Sequence, residues 1–345
     1  MRRCLGCMRE YKEEYQVCPY CGYEVGTPPK EAYHMGPGTL LGGRYMVGQV
    51  LGFGGFGVTY IGYDTTLERK VAIKEYLPSE FSTRIPGQTE VTTYAGERTE
   101  QFNSGLNKFL EEAQMLAKLQ TANGVVQIYN SFHENNTAYI IMEYLEGKTL
   151  KTYLEETEKI PVEEAKEILH PIIVALKEVH ALGIIHRDIA PDNIFLTNDG
   201  RVKLLDFGAS RFATTSHSKS LSVIIKQGYA PVEQYRSRGD QGSWTDVYSL
   251  AATFYKMVTG VTPEDAMERV EKEELKKPSK LGIEIPKNTE NAIMNALNIK
   301  IEDRTHDIEQ FEKELYQDEK VKLKFVHLKK ADVGKWPLWA KLSVS

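Results

Sequence analysis

A glycine-rich loop has the residue types needed to hold phosphate groups. Gly52, Gly54, Gly55 and Gly57 precede Val58 in the pattern G-x-G-x-x-G-x-V. Glycines let backbone N–H groups approach an anion because no Cβ stands in the way. Dinucleotide-binding folds place the same glycines between a strand and a helix. Here a β-rich run follows, so the loop is predicted to join two strands and fold over phosphates, with a flexible hairpin as the alternative.

A lysine on the next predicted strand could neutralise phosphate oxygens. Lys74 ends the run V-A-I-K at residues 71–74, from which its side chain can point into a cleft. A surface lysine is the alternative. A carboxylate on the following helix would orient this lysine, and Glu111 and Glu112 are the candidates. We favour Glu112 because its i+4 neighbour, Leu116, belongs to the apolar face of that helix.

Two further motifs follow in order: H-R-D at residues 186–188, with Asn193 downstream, and D-F-G at residues 206–208. Together with the glycine-rich loop and V-A-I-K, they resemble the signature motifs of protein kinases. The resemblance covers residues 44–318. It implies an α+β bilobal fold, with a small β-rich N-lobe and a larger helical C-lobe, that binds ATP and transfers its γ-phosphoryl group.

The resemblance also implies roles for single residues. Lys74 would bind the α- and β-phosphates and pair with Glu112. Asp188 would accept or orient the proton of the acceptor hydroxyl. Asn193 and Asp206 would hold the magnesium or manganese ions, and oxygen ligands from separate loops suit such hard cations. Charge spreads over the transferring oxygens in this reaction, so positioning and cations are what the site must supply.

A hinge segment is implied as well. Residues 142–145 (MEYL) resemble the kinase hinge, whose backbone would hydrogen-bond adenine, with Met142 as gatekeeper. The residues that the resemblance implies for ATP binding are Leu51, Gly52, Gly54, Gly55, Gly57, Val58, Ala72, Lys74, Met142, Glu143 and Leu145.

One departure from the commonest Ser/Thr-kinase pattern concerns a missing cation. Most such kinases have a lysine two residues after the catalytic aspartate, and here that residue is Ala190. The transition state still needs positive charge beside Asp188. We predict that Lys226, where the chain runs back past the catalytic loop, supplies it and is a catalytic residue. A solvated loop lysine is the alternative.

Other variants indicate the branch of the family. Residues 228–235 (GYAPVEQY) and 243–260 resemble a bacterial branch of Ser/Thr protein kinases. The resemblance implies that Asp246 anchors the catalytic loop and that Arg304 pairs with Glu233. Residues 209–227 are rich in hydroxyls, which makes them candidates for autophosphorylation.

The cysteines predict a metal site. Cys4, Cys7, Cys18 and Cys21 are the only cysteines of the chain, and two C-x-x-C pairs of this kind place four thiolates around Zn²⁺. A segment this short cannot build a hydrophobic core, so it needs a bound metal or a cross-link to stabilise its fold. A redox dithiol pair is the alternative. The segment resembles zinc ribbons that bind protein partners, and its near-neutral charge argues against nucleic acid. Since it contains no catalytic residue, we expect its removal to leave basal activity largely intact.

Hydrophobic patterns predict the elements that position these residues. A strand-rich half followed by a helix-rich half favours two lobes with a cleft. Residues 78–104 are predicted to be an insertion before the helix that bears Glu112. The predicted strands are Tyr45–Leu51, Val58–Tyr63, Lys70–Glu75 and Tyr139–Met142, and the predicted helices are Phe109–Leu119, Glu163–Leu182, Trp244–Val258 and Asn288–Asn298.

Composition and charge set the remaining expectations. The chain is 41% hydrophobic and 26% charged with a net charge of −5, so nothing global indicates nucleic-acid binding. The sequence shows neither a signal peptide nor an apolar run of about 18 residues, which predicts a cytoplasmic protein. The last residues, 320–345, combine two Trp with seven Lys and one Asp. Such a tail suits an anionic membrane surface, here the inner face of the membrane; a solvated tail is the alternative.

The predicted organisation is a zinc ribbon at 1–26, a linker at 27–43, a kinase domain at 44–318 and a basic tail at 319–345. Within the kinase domain the N-lobe is predicted at 44–144 and the C-lobe at 145–318. The predicted function is a bacterial Ser/Thr protein kinase that acts on proteins and on itself. The alternatives are a pseudokinase scaffold, a nucleic-acid adaptor and a Tyr-specific kinase. The presence of every named catalytic residue argues against the scaffold.

Overall fold

The computed structural model describes residues 1–119, 123–205, 225–236 and 239–317. The chain divides into two compact units. The first combines Met1–Lys118 with Gln127–Glu146, and the second begins with Leu119–Val126 and resumes at Gly147. Strands dominate the first unit and helices the second, in agreement with the predicted α+β class.

The first unit is built around a six-stranded antiparallel sheet. The elements of this unit are β1 (Arg2–Arg3), β2 (Glu10–Tyr11), β3 (Leu40–Leu41), β4 (Tyr45–Gly54), β5 (Gly57–Asp64), β6 (Arg69–Tyr76), β7 (Ser82–Arg84), β8 (Val91–Thr93), α1 (Glu97–Leu116), β9 (Ile128–Glu134) and β10 (Thr137–Glu143). The order of strands in the sheet is β3-β4-β5-β6-β10-β9. Its central strands β5, β6 and β10 are rich in Val, Ile and Tyr, the residues that strands favour.

Residues 1–26, here called the cysteine module, fold as two similar turns that face each other. The N–H of Cys4 donates to the Arg9 carbonyl (2.9 Å) and that of Cys18 to the Tyr23 carbonyl (2.8 Å). Four residues after each of these cysteines the backbone is left-handed, with φ 60° at Met8 and φ 74° at Gly22. Both turns therefore direct their sulfur atoms into the same small space.

Helix α1 was predicted to begin at Phe109, and this prediction was wrong. The helix begins at Glu97, so the predicted insertion contains the β7–β8 hairpin and the first turns of α1. Those first turns are polar, which concealed the helical period. Glu97 and Glu100 stabilise that helix end because acidic groups interact favourably with its free N–H groups.

The second unit has a buried helix, α4 (Ser243–Thr259), at its centre. Nearly every side chain of α4 is buried, as in a helix that is covered on all sides. The helix ends at Gly260, whose φ of 76° suits glycine. The elements of this unit are β11 (Gly147–Thr149), α2 (Leu150–Thr157), α3 (Val162–Ala181), β12 (Ile194–Thr197), β13 (Val202–Leu204), α4 (Ser243–Thr259), α5 (Ala266–Glu271), α6 (Lys287–Ala296) and α7 (Ile308–Leu315).

Candidate active site

The glycine-rich loop joins β4 to β5, as predicted. Gly54 pairs with Gly57 and closes the hairpin. No heavy atom would lie within 4 Å of a Cβ added to Gly52 or Gly54, so these two residues border open space. At Gly57 the reason for glycine is different, since a Cβ there would lie 2.1 Å from the Glu75 carbonyl oxygen. The loop thus has bare backbone where a phosphate could approach and a tight contact at its base.

Lys74 lies on the inner strand β6, opposite Thr59 of β5 and Ile140 of β10. Its side chain is half-buried. In α1, Glu112 is 8% exposed whereas Glu111 is exposed. The burial of Glu112 agrees with the choice of Glu112 over Glu111. The pairing of Glu112 with Lys74 stays a prediction.

Sequence reasoning missed the residue next to Lys74. Glu75 is fully buried and pairs with the guanidinium of Arg84 in β7. Two tyrosine hydroxyls also donate to its carboxylate, from Tyr60 at 2.9 Å and from Tyr139 at 2.8 Å. The sequence did contain a signal for Glu75. Successive side chains of a strand point to opposite faces, so if Lys74 faces the cleft, Glu75 must face the layer behind the sheet.

The segment predicted as a hinge begins at the end of β10. Met142 is opposite Ala72, and Glu143 is opposite Val71. The N–H of Glu143 donates to the carbonyl of Gln127 at 2.9 Å. An adenine ring would therefore be read by other backbone groups of residues 143–145, and the adenine site stays a prediction.

In the second unit, Asp188 begins the loop that leads into β12. The side-chain N–H of Asn193 donates both to the Asp188 carbonyl and to its carboxylate Oδ2, each at 2.7 Å. Because the Asn193 nitrogen Nδ2 is occupied by Asp188, the amide oxygen of Asn193 is the atom that could bind a hard cation. Burial raises the pKa of Asp188, while the charge of Lys226 acts to lower it.

Lys226 lies where the missing cation was sought. Its Nζ is 2.9 Å from Asp188 Oδ1 and 2.9 Å from Asp192 Oδ1. The contact with Asp192 was not predicted. An ammonium held by two carboxylates is fixed in place more firmly than one held by a single carboxylate. The effect of Lys226 on the reaction stays a prediction.

The H-R-D backbone is fixed from below by Asp246 of α4. Its carboxylate accepts from the backbone N–H of His186 (2.8 Å) and of Arg187 (2.7 Å), and it also contacts His180 Nε2 at 2.8 Å. Arg187 has the uncommon φ of 67°, which these bonds help to hold. The anchoring role predicted for Asp246 is confirmed.

His186 is the buried member of this loop. Its Nδ1 accepts from the Asp188 N–H (3.2 Å), so Nε2 has the proton and donates to the Leu205 carbonyl (2.8 Å). Burial lowers the pKa of His186, in agreement with a neutral ring.

A buried ion pair closes the far side of the second unit. Arg304 contacts the Glu233 carboxylate through Nη1 (2.7 Å) and Nη2 (3.3 Å). The predicted pairing is confirmed. Thr245 Oγ1 also donates to Glu233, at 3.1 Å, so the segment after Lys226 is tied to the start of α4.

A cleft of about 770 Å³ lies beside the catalytic loop within the second unit. Asp192 and Lys226 line one wall, and Leu154 of α2 lines another. Its lining also includes Tyr229 and Thr262. A cleft of this size, lined by the lysine that contacts Asp188, could hold an extended peptide segment.

The four cysteines come together as predicted. Their Sγ atoms lie within 4.8 Å of one another. Cys4 and Cys21 are 3.5 Å apart at sulfur, and Cys7 and Cys18 are 3.9 Å apart. These distances exceed a disulfide bond and resemble the separation of about 3.8 Å between thiolates around a tetrahedral zinc. The donor set therefore fits Zn²⁺.

Some predicted residues lie outside the described residues. These are Asp206, most of the hydroxyl-rich segment and the whole of the basic tail at 319–345. Within the described ranges, no helix is long and apolar enough to cross a membrane.

Comparison with known proteins gives one family and several named relatives. A family model described as "Protein kinase domain" matches residues 45–319. A probable serine/threonine-protein kinase of Clostridium acetobutylicum is 34% identical over 66% of this chain and 32% of its own length. PknL of Mycobacterium tuberculosis is 33% identical over 65% of the chain and 51% of its own length. PrkC of Bacillus subtilis is 31% identical over 75% of the chain and 38% of its own length. The chain thus spans about half of these relatives or less.

Solved structures agree on the architecture. The apo form of PpkA-294 superposes with a TM-score of 0.72 and 29% identity, covering 82% of this chain and 99% of that one. Rad53 1-466 in complex with AMP-PNP gives a TM-score of 0.57 at 20% identity, covering 76% and 62%. The second likeness concerns the fold alone.

Proposed function

Because this chain belongs to the protein kinase family, we propose that it transfers the γ-phosphoryl group of ATP to Ser or Thr hydroxyls of proteins. One observation carries the proposal. Asp188 is held by Asn193 and Lys226 in a loop whose backbone is fixed by Asp246. A scaffold without turnover would not need a carboxylate held by so many partners. The names of the bacterial relatives support Ser/Thr specificity.

The proposed mechanism uses Asp188 at the acceptor. As the acceptor oxygen bonds to the γ-phosphorus, the bond from that phosphorus to the β,γ-bridging oxygen breaks and ADP leaves. Asp188 orients the acceptor hydroxyl and takes its proton. Asn193 fixes the carboxylate, and Lys226 places a positive charge beside the transferring oxygens, where charge develops. The cleft lined by Asp192 and Tyr229 would receive the acceptor segment.

Divalent metal use is implied by the family. Asn193 would hold the ion through its amide oxygen, together with Asp206, which lies outside the described residues. When bound, Mg²⁺ or Mn²⁺ neutralises phosphate charge. Lys74 would bind the α- and β-phosphates below the glycine-rich loop.

Phosphotransfer to a general protein substrate, followed by phosphopeptide mass spectrometry, tests this function. We expect phosphoserine or phosphothreonine to form with MgATP. Asp188→Asn should abolish transfer while MgATP binding survives, because the aspartate acts on the hydroxyl rather than on the nucleotide. Near-normal turnover in this variant would show that Asp188 is not the acceptor-side residue. Binding without turnover by the unaltered protein would support the scaffold alternative.

For the cysteine module we propose one structural zinc, held by Cys4, Cys7, Cys18 and Cys21. The support is the spacing of the sulfur atoms, which is 3.5 Å and 3.9 Å in two pairs and no more than 4.8 Å in any pair. We expect one zinc per chain by metal analysis of reduced protein, and loss of that metal in Cys7→Ser with Cys18→Ser. Metal-free reduced protein that retains a folded module would contradict the proposal.

Two contacts with other partners remain proposals. The module would bind a protein partner, as the resemblance to zinc ribbons suggests. The basic tail would bind anionic lipid at the inner face of the membrane, which would place a cytoplasmic protein there. Sedimentation with vesicles that contain phosphatidylserine, compared with neutral vesicles, tests the second.

A further inference from the structure

The linker that follows the cysteine module packs on the glycine-rich loop. His34 is only 2% exposed. Its ring lies edge-on to the ring of Phe53, with 5.0 Å between centroids. Phe53 stands between Gly52 and Gly54 and is 46% exposed. The Nζ of Lys30 lies 5.4 Å from the centroid of the Phe53 ring. Residues 30–35, here called the strap, therefore contact the aromatic side chain of the loop.

The strap is also tied to the strand beneath the loop. The N–H of Met35 donates to the Tyr60 hydroxyl at 3.1 Å, and Arg84 Nη1 donates to the Tyr33 carbonyl at 3.0 Å. Tyr60 and Arg84 are both partners of the buried carboxylate of Glu75. Because Glu75 directly follows Lys74, the strap is joined to the strand that bears the phosphate-binding lysine.

The cysteine module contacts β4, the strand that leads into the same loop. The N–H of Gln49 donates to the Leu5 carbonyl (2.8 Å), and Gln49 Nε2 donates to the Gly6 carbonyl (3.0 Å). A Cβ on Gly48 would lie 2.3 Å from Met8 Cε and 2.4 Å from the Leu5 carbonyl oxygen. The strand that becomes the glycine-rich loop is thus held at residues 48–49 and again at Phe53.

We propose that the strap positions the glycine-rich loop for nucleotide binding, with His34 and Phe53 as the positioning residues. The inference rests on the proposed kinase function. Glycines have many backbone states, so ordering this loop around ATP costs conformational entropy. A contact that narrows those states before ATP arrives lowers the cost and raises affinity. That removal of the cysteine module leaves basal activity largely intact stays a prediction, to which the strap adds an effect on nucleotide affinity.

The test is a double-mutant cycle on the full chain, with MgADP affinity measured by calorimetry. His34→Ala and Phe53→Ala should each weaken binding by roughly 3- to 10-fold, and the double variant should be no weaker than the worse single, because both remove one contact. In steady-state kinetics, KM for ATP should rise while kcat changes by less than about twofold, a split that general damage to the fold would not give.

Gly48→Ala is a second route to the same result. Its methyl group would clash with Met8 and the Leu5 carbonyl of the module, and it would also lie 2.8 Å from Ile61 Cγ2 of β5. It should loosen the module from β4 and weaken MgADP binding to a similar degree, and thermal denaturation of the variant checks that the sheet stays folded. Leu67→Ala, at an apolar residue that is 54% exposed in the same unit, is the matched control and should change nothing. Additive losses of MgADP affinity in the double variant, or unchanged affinity in folded His34→Ala, would overturn the proposed role of the strap. A wild-type chain that binds no MgADP would instead overturn the proposed kinase function.

Discussion

Asp188 and Lys226 form the pair of residues on which the proposed chemistry depends most. Burial raises the pKa of Asp188, which makes the carboxylate a stronger base, yet the group must stay ionised to accept a proton. The adjacent Lys226 ammonium favours the ionised form. The lysine thus has two effects, one on the charge state of Asp188 and one on the transferring oxygens.

Lys226→Ala should lower kcat by about 10- to 100-fold with little change in ATP affinity, because the lost interaction is made mainly in the transition state. The variant should also move the acid limb of the kcat profile to higher pH, since removing the cation raises the pKa of Asp188 further. A pH–rate series with saturating MgATP measures both effects.

Two variants serve as controls for Lys226→Ala: one introduces a lysine at residue 190, and the other removes a lysine far along the chain, at residue 272. Ala190→Lys added to Lys226→Ala should recover part of the lost kcat, because it returns a cation to the commonest position. Lys272→Ala removes an exposed lysine of the same unit and should have no effect. An unchanged kcat in Lys226→Ala would show that the lysine is an ordinary loop residue.

Among the structural elements, the strands of the first sheet were the most predictable. Tyr45–Leu51 and Lys70–Glu75 lie within β4 and β6, because these runs are rich in the Val, Ile and Tyr residues that strands favour. β9 was missed because Asn130, Ser131 and His133 interrupt its apolar pattern.

The candidate site was predictable where its residues belong to local motifs. Asp188 and Asn193 fall in one short segment, so their contact follows from sequence. The pairing of Glu75 with Arg84, and the packing of His34 on Phe53, join separate segments whose approach depends on the fold of the linker and the β7–β8 hairpin. No periodicity encodes such contacts.

The β7–β8 hairpin supplies Arg84, and replacing this arginine tests how much the hairpin contributes to stability. Arg84→Met should destabilise the protein by about 3–5 kcal/mol, because it leaves the Glu75 carboxylate buried without its cation. Chemical denaturation followed by fluorescence measures the change.

Two variants control the Arg84 experiment. Arg84→Met combined with Glu75→Gln should be less destabilised than Arg84→Met alone, since no unpaired charge remains. Lys272→Ala removes a pair in which both side chains are more than half exposed and should cost less than about 1 kcal/mol. Equal losses in the single and double variants would mean that the charge pair is not the reason for the effect.

At the scale of the whole molecule, the cysteine module and linker belong to the β-rich unit and are not a separate body. Their buried histidine makes this union sensitive to pH. Burial lowers the pKa of His34, although Glu31 and Glu75 act to raise it and Arg84 and Lys30 act to lower it further.

The sign of this pH dependence follows from the direction of the shift. The neutral ring is favoured in the folded state, so the contribution of His34 is intact above its ordinary pKa of 6.5 and is lost as pH falls through the lower, folded value. Wild type should therefore lose more thermal stability between neutral pH and about pH 5 than His34→Leu, which has no titrating group there. Parallel curves for the two proteins would contradict this.

The side chain that holds the cysteine module against β4 is a thioether. Met8 is 2% exposed, and its terminal methyl carbon occupies the space that Gly48 leaves. Oxidation would add an oxygen and a dipole to a side chain that is buried in this contact. We therefore expect sulfoxide formation at Met8 to be slow in the folded protein and to weaken the contact between the module and β4 where it occurs. Peptide mass spectrometry after mild peroxide treatment measures that rate, which makes Met8 a chemical reporter of how tightly the module is held.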